Sequence, residues 1–373
     1  MQMEINHTES SAKQRVLVAM SGGVDSSVAA YLLKKQGYDV TGATLQIWPD
    51  DPDKQVCEDN GCCSLSAVED ARRVASALDI PYYVLNFKEL FEKNVIDPFV
   101  DTYLHGETPN PCILCNRKIK FEAMLEKAIA LGFDFLATGH YAKISRSETG
   151  KYELHAELDN PKDQTYALYS LTQHQLSHLL LPISGIHKDQ IRQIACEAGL
   201  PVANKPDSQE ICFVRQESYA DYIHRKTGIA PVPGDFVDAS GRVLGKHRGI
   251  IYYTVGQRKG IYISSSEALY VLAVDAKKNQ IVLGSNQQLF SSQLCAREAH
   301  YISGAPPTDT LSIQAKIRYS ARPVPASLMP IDQGRVKLAF DEPVRAITPG
   351  QAVVFYQGEN VLGGAIIEGE SPI

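Results

Sequence analysis

Apolar positions in the first half of the chain form short continuous runs that alternate with longer segments of helical period. The first run, residues 16–20, leads through a Gly-containing loop at residues 21–26 into a periodic apolar segment that ends at Gly37. A continuous run, a break and then a 3.6-residue period are typical of a buried strand, a tight loop and a helix. We predict that the first half of the chain is organised around this unit.

The same alternation continues to about residue 200. Further strands are predicted at residues 39–48, 80–85 and 133–138, and helices at residues 66–78, 88–104, 118–131 and 188–198. Strands that alternate with helices favour an α/β fold with a doubly wound parallel sheet. Ligands of such sheets bind at the carboxyl ends of the strands, where residues 21–26 and Gly139 would both lie.

The pattern changes after about residue 220. Short β-rich runs are then separated by Gly, Pro and Asn, and they are residues 250–255, 269–274, 280–283, 311–317, 336–340 and 352–356. Such spacing is typical of small β-rich domains and barrels. We expect a flexible tail at 1–14, a catalytic α/β domain at 15–220, a central β-rich domain at 221–295 and a barrel-like domain at 296–373.

Composition and charge set the class of protein. With 373 residues, 44% hydrophobic and 21% charged, the chain is long enough for two or three cores. Its formal charge is −6, yet residues 232–373 carry 14 Lys and Arg against 12 Asp and Glu, so net charge neither supports nor excludes a nucleic-acid partner. We found no apolar run near the ~20 residues that span a bilayer, and the tail lacks the apolar segment of a secretion signal. A cytoplasmic protein with reduced thiols is expected.

The loop at residues 21–26, SGGVDS, has the features of a phosphate-binding loop. Its glycines let the backbone approach a ligand closely, and the first amides of the following helix attract an anion. The sequence lacks the G-x-x-x-x-G-K-[ST] pattern of the commoner phosphate loop. SGGVDS instead resembles the PP-loop of ATP pyrophosphatases, and the alternative is an ordinary Gly-Gly turn between a strand and a helix.

Two further stretches contain cysteines in unusual settings. In TPNPCILCN, residues 108–116, two prolines predict a rigid loop that holds Cys112 and Cys115 three residues apart before a helix. The alternative is half of a structural zinc site, which Cys57, Cys62 and Cys63 would have to complete with irregular spacing.

The other stretch is KPDSQEICF, residues 205–213, where Cys212 lies among polar residues. A thiol in such a loop is a candidate for chemistry, since reactive cysteines need partial exposure. Cys196 and Cys295 fit the ordinary role of a small buried hydrophobic residue.

Taken together, these stretches resemble the bacterial-type tRNA-specific 2-thiouridylases, a PP-loop family that installs sulfur at C2 of the wobble uridine, position 34 of tRNA. The resemblance extends from about residue 15 to the C-terminus. It is carried by SGGVDSS at 21–27, TPNPCxxCNxxIKF at 108–121, ATGHYA at 137–142, KDQTYALY at 162–169, PDSQEICF at 206–213, YTVGQRKG at 253–260 and TPGQAVVFY at 348–356.

The resemblance implies an ATP-dependent sulfur transfer. ATP with Mg²⁺ would activate the uracil C2 oxygen, a persulfide on Cys212 would supply the sulfur, and Cys115 would release it. The residues implied in ATP binding are Ala19, Met20, Ser21, Gly22, Gly23, Val24, Asp25, Ser26, Leu45 and Gly139.

The resemblance also implies partners and a tRNA-binding surface. A sulfurtransferase would charge Cys212, and a monomer is expected. The residues implied in tRNA binding are Asn110, Pro111, Cys112, His140, Lys162, Asp163, Gln164, Arg318, Tyr319 and Gln351.

Cys112 is a departure from the family pattern, because many relatives have Asp at this place. The substitution removes a carboxylate and creates a set of three thiols, Cys112, Cys115 and Cys212. Three thiolates on a 4Fe-4S cluster would leave one iron able to carry sulfide, which is an alternative to the persulfide.

Two other classes of function remain open at this point. A PP-loop ligase that acts on a free metabolite would share the ATP chemistry but would not need paired cysteines. A non-enzymatic RNA-binding protein would account for the β-rich half but would leave the loop at 21–26 and the cysteines unexplained.

Overall fold

The computed structural model describes residues 13–47, 65–157, 159–207, 211–214, 217–332 and 334–369. Most of the predicted tail, together with Cys57, Cys62 and Cys63 of the zinc alternative, lies outside these residues. Within them, no helix combines the length and the apolar content needed to cross a membrane.

The helices lie mainly in the first 230 residues. They are α1 (Val24–Lys35), α2 (Leu65–Ala77), α3 (Lys88–Phe91, Glu92–Ile96 and Asp97–Leu104, with a π-helical middle piece), α4 (Pro111–Leu114, Cys115–Met124 and Leu125–Ala130, again π-helical in the middle), α5 (Gln173–Ser177), α6 (Lys188–Glu197) and α7 (Tyr219–Thr227). Single 3₁₀ turns are formed by Thr165–Ala167, Ile250–Tyr252 and Gln287–Leu289.

The strands belong to three sheets. In chain order they are β1 (Arg15–Ala19), β2 (Asp39–Gln46), β3 (Tyr82–Asn86), β4 (Phe135–Ala137), β5 (Lys143–Arg146), β6 (Tyr152–His155), β7 (Leu179–Leu180), β8 (Gly234–Asp238), β9 (Val243–His247), β10 (Tyr270–Asp275), β11 (Gln280–Gly284), β12 (Phe290–Tyr301), β13 (Leu311–Lys316), β14 (Val324–Pro330), β15 (Val336–Arg345), β16 (Ala352–Gln357) and β17 (Asn360–Ile367).

The first sheet is parallel, with the strand order β3-β2-β1-β4-β7. One face is covered by α1 and α6, whose Val28, Leu33 and Ile191 share a buried cluster. The other face is covered by α3 and α4, whose Phe99 and Ile119 belong to a second cluster. Since both faces are covered, the doubly wound parallel sheet is confirmed. Its strand order reverses between β1 and β4, where a crevice opens at the carboxyl ends.

Residues 232–369 form two β-rich units. The smaller sheet has the order β10-β11-β8-β9 and its own core around Phe236 and Val271. The larger sheet runs β12-β15-β14-β13-β16-β17, and β12 also pairs with β17, so six strands close into a barrel. Closure leaves none of these six strands as an open edge, and the barrel prediction is confirmed.

Two local predictions were wrong, and one element was missed. Residues 250–255 are not a strand but begin with a 3₁₀ turn after Gly249, which has a positive φ of 134°. The cysteines at 112 and 115 lie inside α4 and not before it, since Asn110 caps the helix and Pro111 occupies its first position. The hairpin β5–β6 was missed because its short strands are half-exposed and lack a clear alternation.

The hairpin β5–β6 leaves the α/β unit and joins the barrel. His155 of β6 pairs with Asn360 of β17, and the amide of Ala156 donates to the Glu359 carbonyl (2.7 Å). The first domain and the barrel are therefore connected through this hairpin as well as through the covalent chain.

The barrel core generates a stability prediction. Phe355 on β16 is fully buried, so Phe355→Ala should lower the free energy of unfolding by about 3–5 kcal/mol. Phe290 on β12 is 45% exposed, and Phe290→Ala should cost less than about 1 kcal/mol. Urea denaturation of both variants checks this, and equal losses at the two sites would contradict the packing described.

Candidate active site

The loop between β1 and α1 has a conformation that requires glycine. Gly22 has a φ of +68°, and a Cβ there would lie 2.3 Å from the carbonyl oxygen of Ala67 on α2. The loop is also held from within, because the Ser21 amide donates to Oγ of Ser26 (3.1 Å) and this Oγ donates to the Gly23 carbonyl (3.2 Å). The first amides of α1 are thereby presented at the carboxyl end of β1.

Gly139 brings a second strand end against this loop. It follows β4, and a Cβ on it would lie 2.6 Å from the Ser26 nitrogen and 2.7 Å from the Asp25 carbonyl carbon. Only a residue without a side chain permits this approach. The loops after β1 and β4 thus form one wall of the crevice where the strand order reverses.

A cavity of about 460 Å³ opens at this place. Every residue predicted to bind ATP lines it except Gly22, which instead packs against α2. Its other lining residues come from several elements and are Ala43, Lys120, Thr138, His140, Tyr141, Lys162, Gln164, Lys205, Pro206, Asp207 and Tyr319. The cavity combines a phosphate-type loop with lysines, which suits an anionic ligand.

A lysine connects the loop to the segment that leads to Cys212. Nζ of Lys188 donates to both carboxylate oxygens of Asp25 (2.8 Å each) and lies 2.7 Å from Oδ1 of Asp207. Tyr141 also donates to Oδ1 of Asp25 (2.6 Å). Burial and this hydrogen bond to Asp25 together raise the pKa of Tyr141 well above its usual value, so the hydroxyl keeps its proton.

Further cations surround the same carboxylates. Lys162 donates to Oδ2 of Asp207 (2.8 Å), and Lys205 donates to Asp70 (2.7 Å) and to the Gly22 carbonyl (3.1 Å). Burial opposes the charge of Asp207, but its hydrogen bonds with Lys162 and Lys188 outweigh burial and lower its pKa. Asp207 therefore remains a carboxylate throughout the physiological pH range.

Sequence reasoning missed the roles of Tyr141, Lys188, Lys205 and Asp207. Tyr141 and Asp207 lie in the stretches ATGHYA and PDSQEICF, which it singled out, and Lys205 directly precedes the second. Lys188 offers only a weak local signal, as the first residue of α6. Its contact with Asp25 joins positions 163 residues apart, which no local pattern encodes.

His140 is held in its neutral form. Its Nδ1 lies 2.8 Å from Oγ1 of Thr138, and its ring packs on Phe121. Burial is the main cause that lowers the pKa of His140 well below its usual value, and the nearby ammonium of Lys120 adds to it. At neutral pH this side chain offers hydrogen bonds and not a positive charge.

The two cysteines with predicted catalytic roles are both half-buried. Cys115 on α4 and Cys212 pack against the same hydrophobic cluster, and the ring of Phe213 lies edge-on to Phe99 at 5.1 Å. Cys112, in contrast, is exposed. Cys196 is exposed as well, which corrects the expectation that it is buried, because it faces away from Ile191 on α6.

The described part of the chain does not support the iron-sulfur alternative. It contains no group of three or more Cys, His, Asp or Glu side chains placed to hold a metal ion. The exposed position of Cys112 differs from that of Cys115 and Cys212, which are packed on the core. The structure therefore does not bring the three thiols together as a cluster would require.

The residues predicted to bind tRNA fall into two groups. His140, Lys162, Gln164 and Tyr319 line the cavity, and Tyr319 reaches it from the barrel. Burial is the first cause that raises the pKa of Tyr319, followed by the charges of Asp163 and Cys112 nearby.

The other predicted tRNA residues are placed elsewhere. Pro111 is buried and Cys112 is exposed in the first turn of α4. The rest hydrogen-bond within the protein: Asn110 caps α4, Asp163 accepts from Thr165 (2.8 Å), Arg318 donates to the Arg345 and Ala346 carbonyls, and Gln351 donates to the Thr108 and Pro109 carbonyls.

Comparison with known protein families places the chain among tRNA-modifying enzymes built on a HUP domain. A family model described as the tRNA methyl transferase HUP domain matches residues 14–216. The corresponding PRC-barrel domain matches residues 220–285, and the aminomethyltransferase β-barrel domain matches residues 291–367.

Individual relatives identify the family more closely. The chain is 54% identical to the tRNA-specific 2-thiouridylase MnmA of Acetivibrio thermocellus over 96% of this chain and 100% of that protein. It is 54% identical to the enzyme of the same name from Clostridioides difficile, over 95% of this chain and 98% of that protein. The chain therefore belongs to the tRNA-specific 2-thiouridylase family and is a tRNA sulfurtransferase. The description of the HUP-domain family mentions methyl transfer, whereas these relatives are named for thiolation.

The close approach of Gly139 to the loop predicts a loss of nucleotide binding in Gly139→Ala. The added Cβ would push against the backbone of Asp25 and Ser26. We therefore expect calorimetry to show a Kd for an ATP analogue that is at least tenfold higher than in the wild type. Gly369→Ala is the control, because a Cβ there meets only ordinary contacts at 3.6 Å. Unchanged affinity in Gly139→Ala would contradict the geometry.

The neutral state of His140 predicts a pH effect on stability. The unfolded chain binds a proton near the ordinary His pKa of 6.5, whereas folded His140 takes it up only well below that pH. The contribution of this residue to stability must therefore fall as the pH drops below about 6.5. Urea denaturation at pH 7.5 and 5.5 should show that His140→Asn loses less stability between these pH values than the wild type does. An equal loss in the two proteins would contradict the prediction.

Proposed function

We propose that the protein catalyses the ATP-dependent 2-thiolation of the wobble uridine of tRNA, with sulfur delivered from a cysteine persulfide. One observation carries the proposal: a residue five positions from each thiol lines the cavity that contains the phosphate-type loop. Lys120, on the same helix as Cys115, lines that cavity, and so does Asp207, five residues before Cys212.

The cavity fits the triphosphate of ATP. Gly22 lets the loop pack against α2, and Gly139 lets the end of β4 contact the loop backbone. The first residues of α1 then line the cavity, where their amides attract phosphate. Lys120, Lys162 and Lys205 line the cavity, where Lys162 pairs with Asp207 and Lys205 pairs with Asp70. Mg²⁺ would come with the phosphate oxygens of the nucleotide as its main ligands, and it would neutralise their charge.

The proposed chemistry begins with activation of the uracil C2 oxygen. This oxygen attacks the α-phosphorus of ATP, and pyrophosphate leaves. The terminal sulfur of the Cys212 persulfide then attacks C2 and expels AMP, so that Cys212 is joined to the base through two sulfur atoms. The Cys115 thiolate attacks Sγ of Cys212, which frees the 2-thiouridine and leaves a Cys115–Cys212 disulfide for a reductant.

The surroundings of the cysteines fit a guarded reaction. Both thiols pack on the hydrophobic cluster, and this limits the water around a reactive sulfur. The leaving groups are pyrophosphate, AMP and finally the sulfur of 2-thiouridine, and none of these steps uses Cys112. Cys112 is exposed at the start of α4 and is proposed to face the tRNA.

The tRNA is proposed to bind across the cavity mouth and the neighbouring side of the barrel. Neutral His140 and Gln164 would form hydrogen bonds with the target nucleotide, and Tyr319 offers a half-exposed ring for stacking on a base. Lys162, Asn110, Pro111, Asp163 and Arg318 complete the proposed surface. A sulfurtransferase that charges Cys212, a cytoplasmic location and a monomeric state belong to the same proposal.

The deciding experiment measures the reaction and its products with purified protein. With ATP, tRNA and a persulfide donor, AMP and pyrophosphate should form together with 2-thiouridine at position 34. Omission of tRNA should suppress the formation of AMP and of pyrophosphate. Release of AMP with a small metabolite in place of tRNA would favour a ligase instead.

Variants test the roles of the two thiols. Cys115→Ser and Cys212→Ser should each reduce 2-thiouridine formation at least 100-fold, while tRNA affinity stays within about threefold. Cys196→Ser, at an exposed position on α6, is the matched control and should retain full activity. Sulfur transfer by Cys115→Ser at the normal rate would exclude the disulfide step.

A further inference from the structure

The segment that leads into the cysteine helix is held by the barrel. Residues 105–110 connect α3 to α4, and Thr108 and Pro109 of this connection lie against the turn that precedes β16, residues 348–351, which we name the barrel turn. The Thr108 amide donates to the Pro349 carbonyl (2.8 Å), and Nε2 of Gln351 donates to the carbonyls of Thr108 (2.9 Å) and Pro109 (3.2 Å). Both amide hydrogens of Gln351 are therefore used within the protein.

Two further contacts fix the same segment. A Cβ on Gly350 would lie 2.9 Å from both the nitrogen and the oxygen of Thr108, so the two backbones touch. The guanidinium of Arg297 on β12 makes two hydrogen bonds to the Glu107 carboxylate (3.2 and 2.7 Å). The barrel thus holds residues 107, 108 and 109 in succession.

The barrel turn is itself rigid. The Gly350 amide donates to the Ile367 carbonyl (3.0 Å), and the Ile367 amide donates to the Gln351 carbonyl (2.8 Å). Ile367 is fully buried at the end of β17, the strand that closes the barrel. The position of the turn is therefore set by the closed barrel.

The segment that the barrel holds leads directly into the first turn of α4, which carries Cys112. Oδ1 of Asn110 accepts from the amides of Cys112 (3.2 Å) and Ile113 (3.4 Å), and Pro111 occupies the first helical position. A shift of residues 108 and 109 would move this cap, and with it the first turns of α4. We infer that Gln351 is a positioning residue: through Thr108 and Pro109 it sets the place of Cys112 and Cys115 relative to the cavity.

This inference rests on the proposed function only for its catalytic consequence. It also differs from the expectation that Gln351 serves mainly as a tRNA contact. Three substitutions separate the two roles. Gln351→Met removes both donors at nearly constant size, Gln351→Glu places a carboxylate against two carbonyl oxygens, and Gln351→Lys keeps a donor group.

A positioning role predicts the order of single-turnover thiolation rates. The wild type should be fastest, then Gln351→Lys, then Gln351→Met at a loss of at least tenfold, and Gln351→Glu slowest. The Kd for tRNA should stay within about twofold of the wild type in Gln351→Met. Gln357→Met, at an exposed glutamine of the same barrel, is the control and should behave as the wild type. A normal rate in Gln351→Met, or a tenfold rise in its Kd with a normal rate, would overturn the inference.

A second measurement needs neither ATP nor tRNA. In Gln351→Met, hydrogen exchange in residues 107–116 should be at least tenfold faster, and the alkylation rate of Cys115 should change, while exchange in the barrel strands stays as in the wild type. Unchanged exchange at residues 107–116 would refute the positioning role. The two claims can fail separately. If the wild type formed no 2-thiouridine, the proposed function would be wrong, but the difference in hydrogen exchange between the wild type and Gln351→Met would still decide the positioning role.

Discussion

The site depends on one ammonium group, that of Lys188. It lies between the carboxylates of Asp25 and Asp207, which come from the first turn of α1 and from the segment before Cys212. With its side chain only 14% exposed, Lys188 is a poorly hydrated charge that the two carboxylates must balance. Among the described residues, loss of Lys188 would leave Asp25 without an ion-pair partner, whereas Asp207 would still pair with Lys162. The cluster therefore makes the phosphate-type loop and the thiol-bearing segment parts of one electrostatic unit.

How much of the structure could be predicted from the sequence depends on how far apart in the chain the interacting residues lie. The unit of β1, its loop and α1 was predictable because glycine and apolar period are local signals. The closed barrel was predictable as a class from its short runs and turns. The partner of Asp25 was not predictable, since Lys188 is distant in the chain and its neighbours give no hint of the contact.

The cysteines show the same division. Their number and spacing marked Cys112, Cys115 and Cys212 as unusual, yet only the fold separates an exposed thiol from two packed on one hydrophobic cluster. The start of α4 illustrates a local signal that was present and misjudged, because Asn110 followed by Pro111 is a favourable beginning for a helix. Local chemistry defined the candidates, and tertiary packing distinguished among them.

The hairpin β5–β6 also has a consequence for the order of folding. It is synthesised about 200 residues before β17, the strand on which it docks. Until β17 emerges from the ribosome, the outer edge of β6 has no barrel partner and remains a site for unwanted strand pairing. Docking of this hairpin is thus tied to β17, the last strand among the described residues, and a nascent chain that stops short of β17 would be a natural client for chaperones.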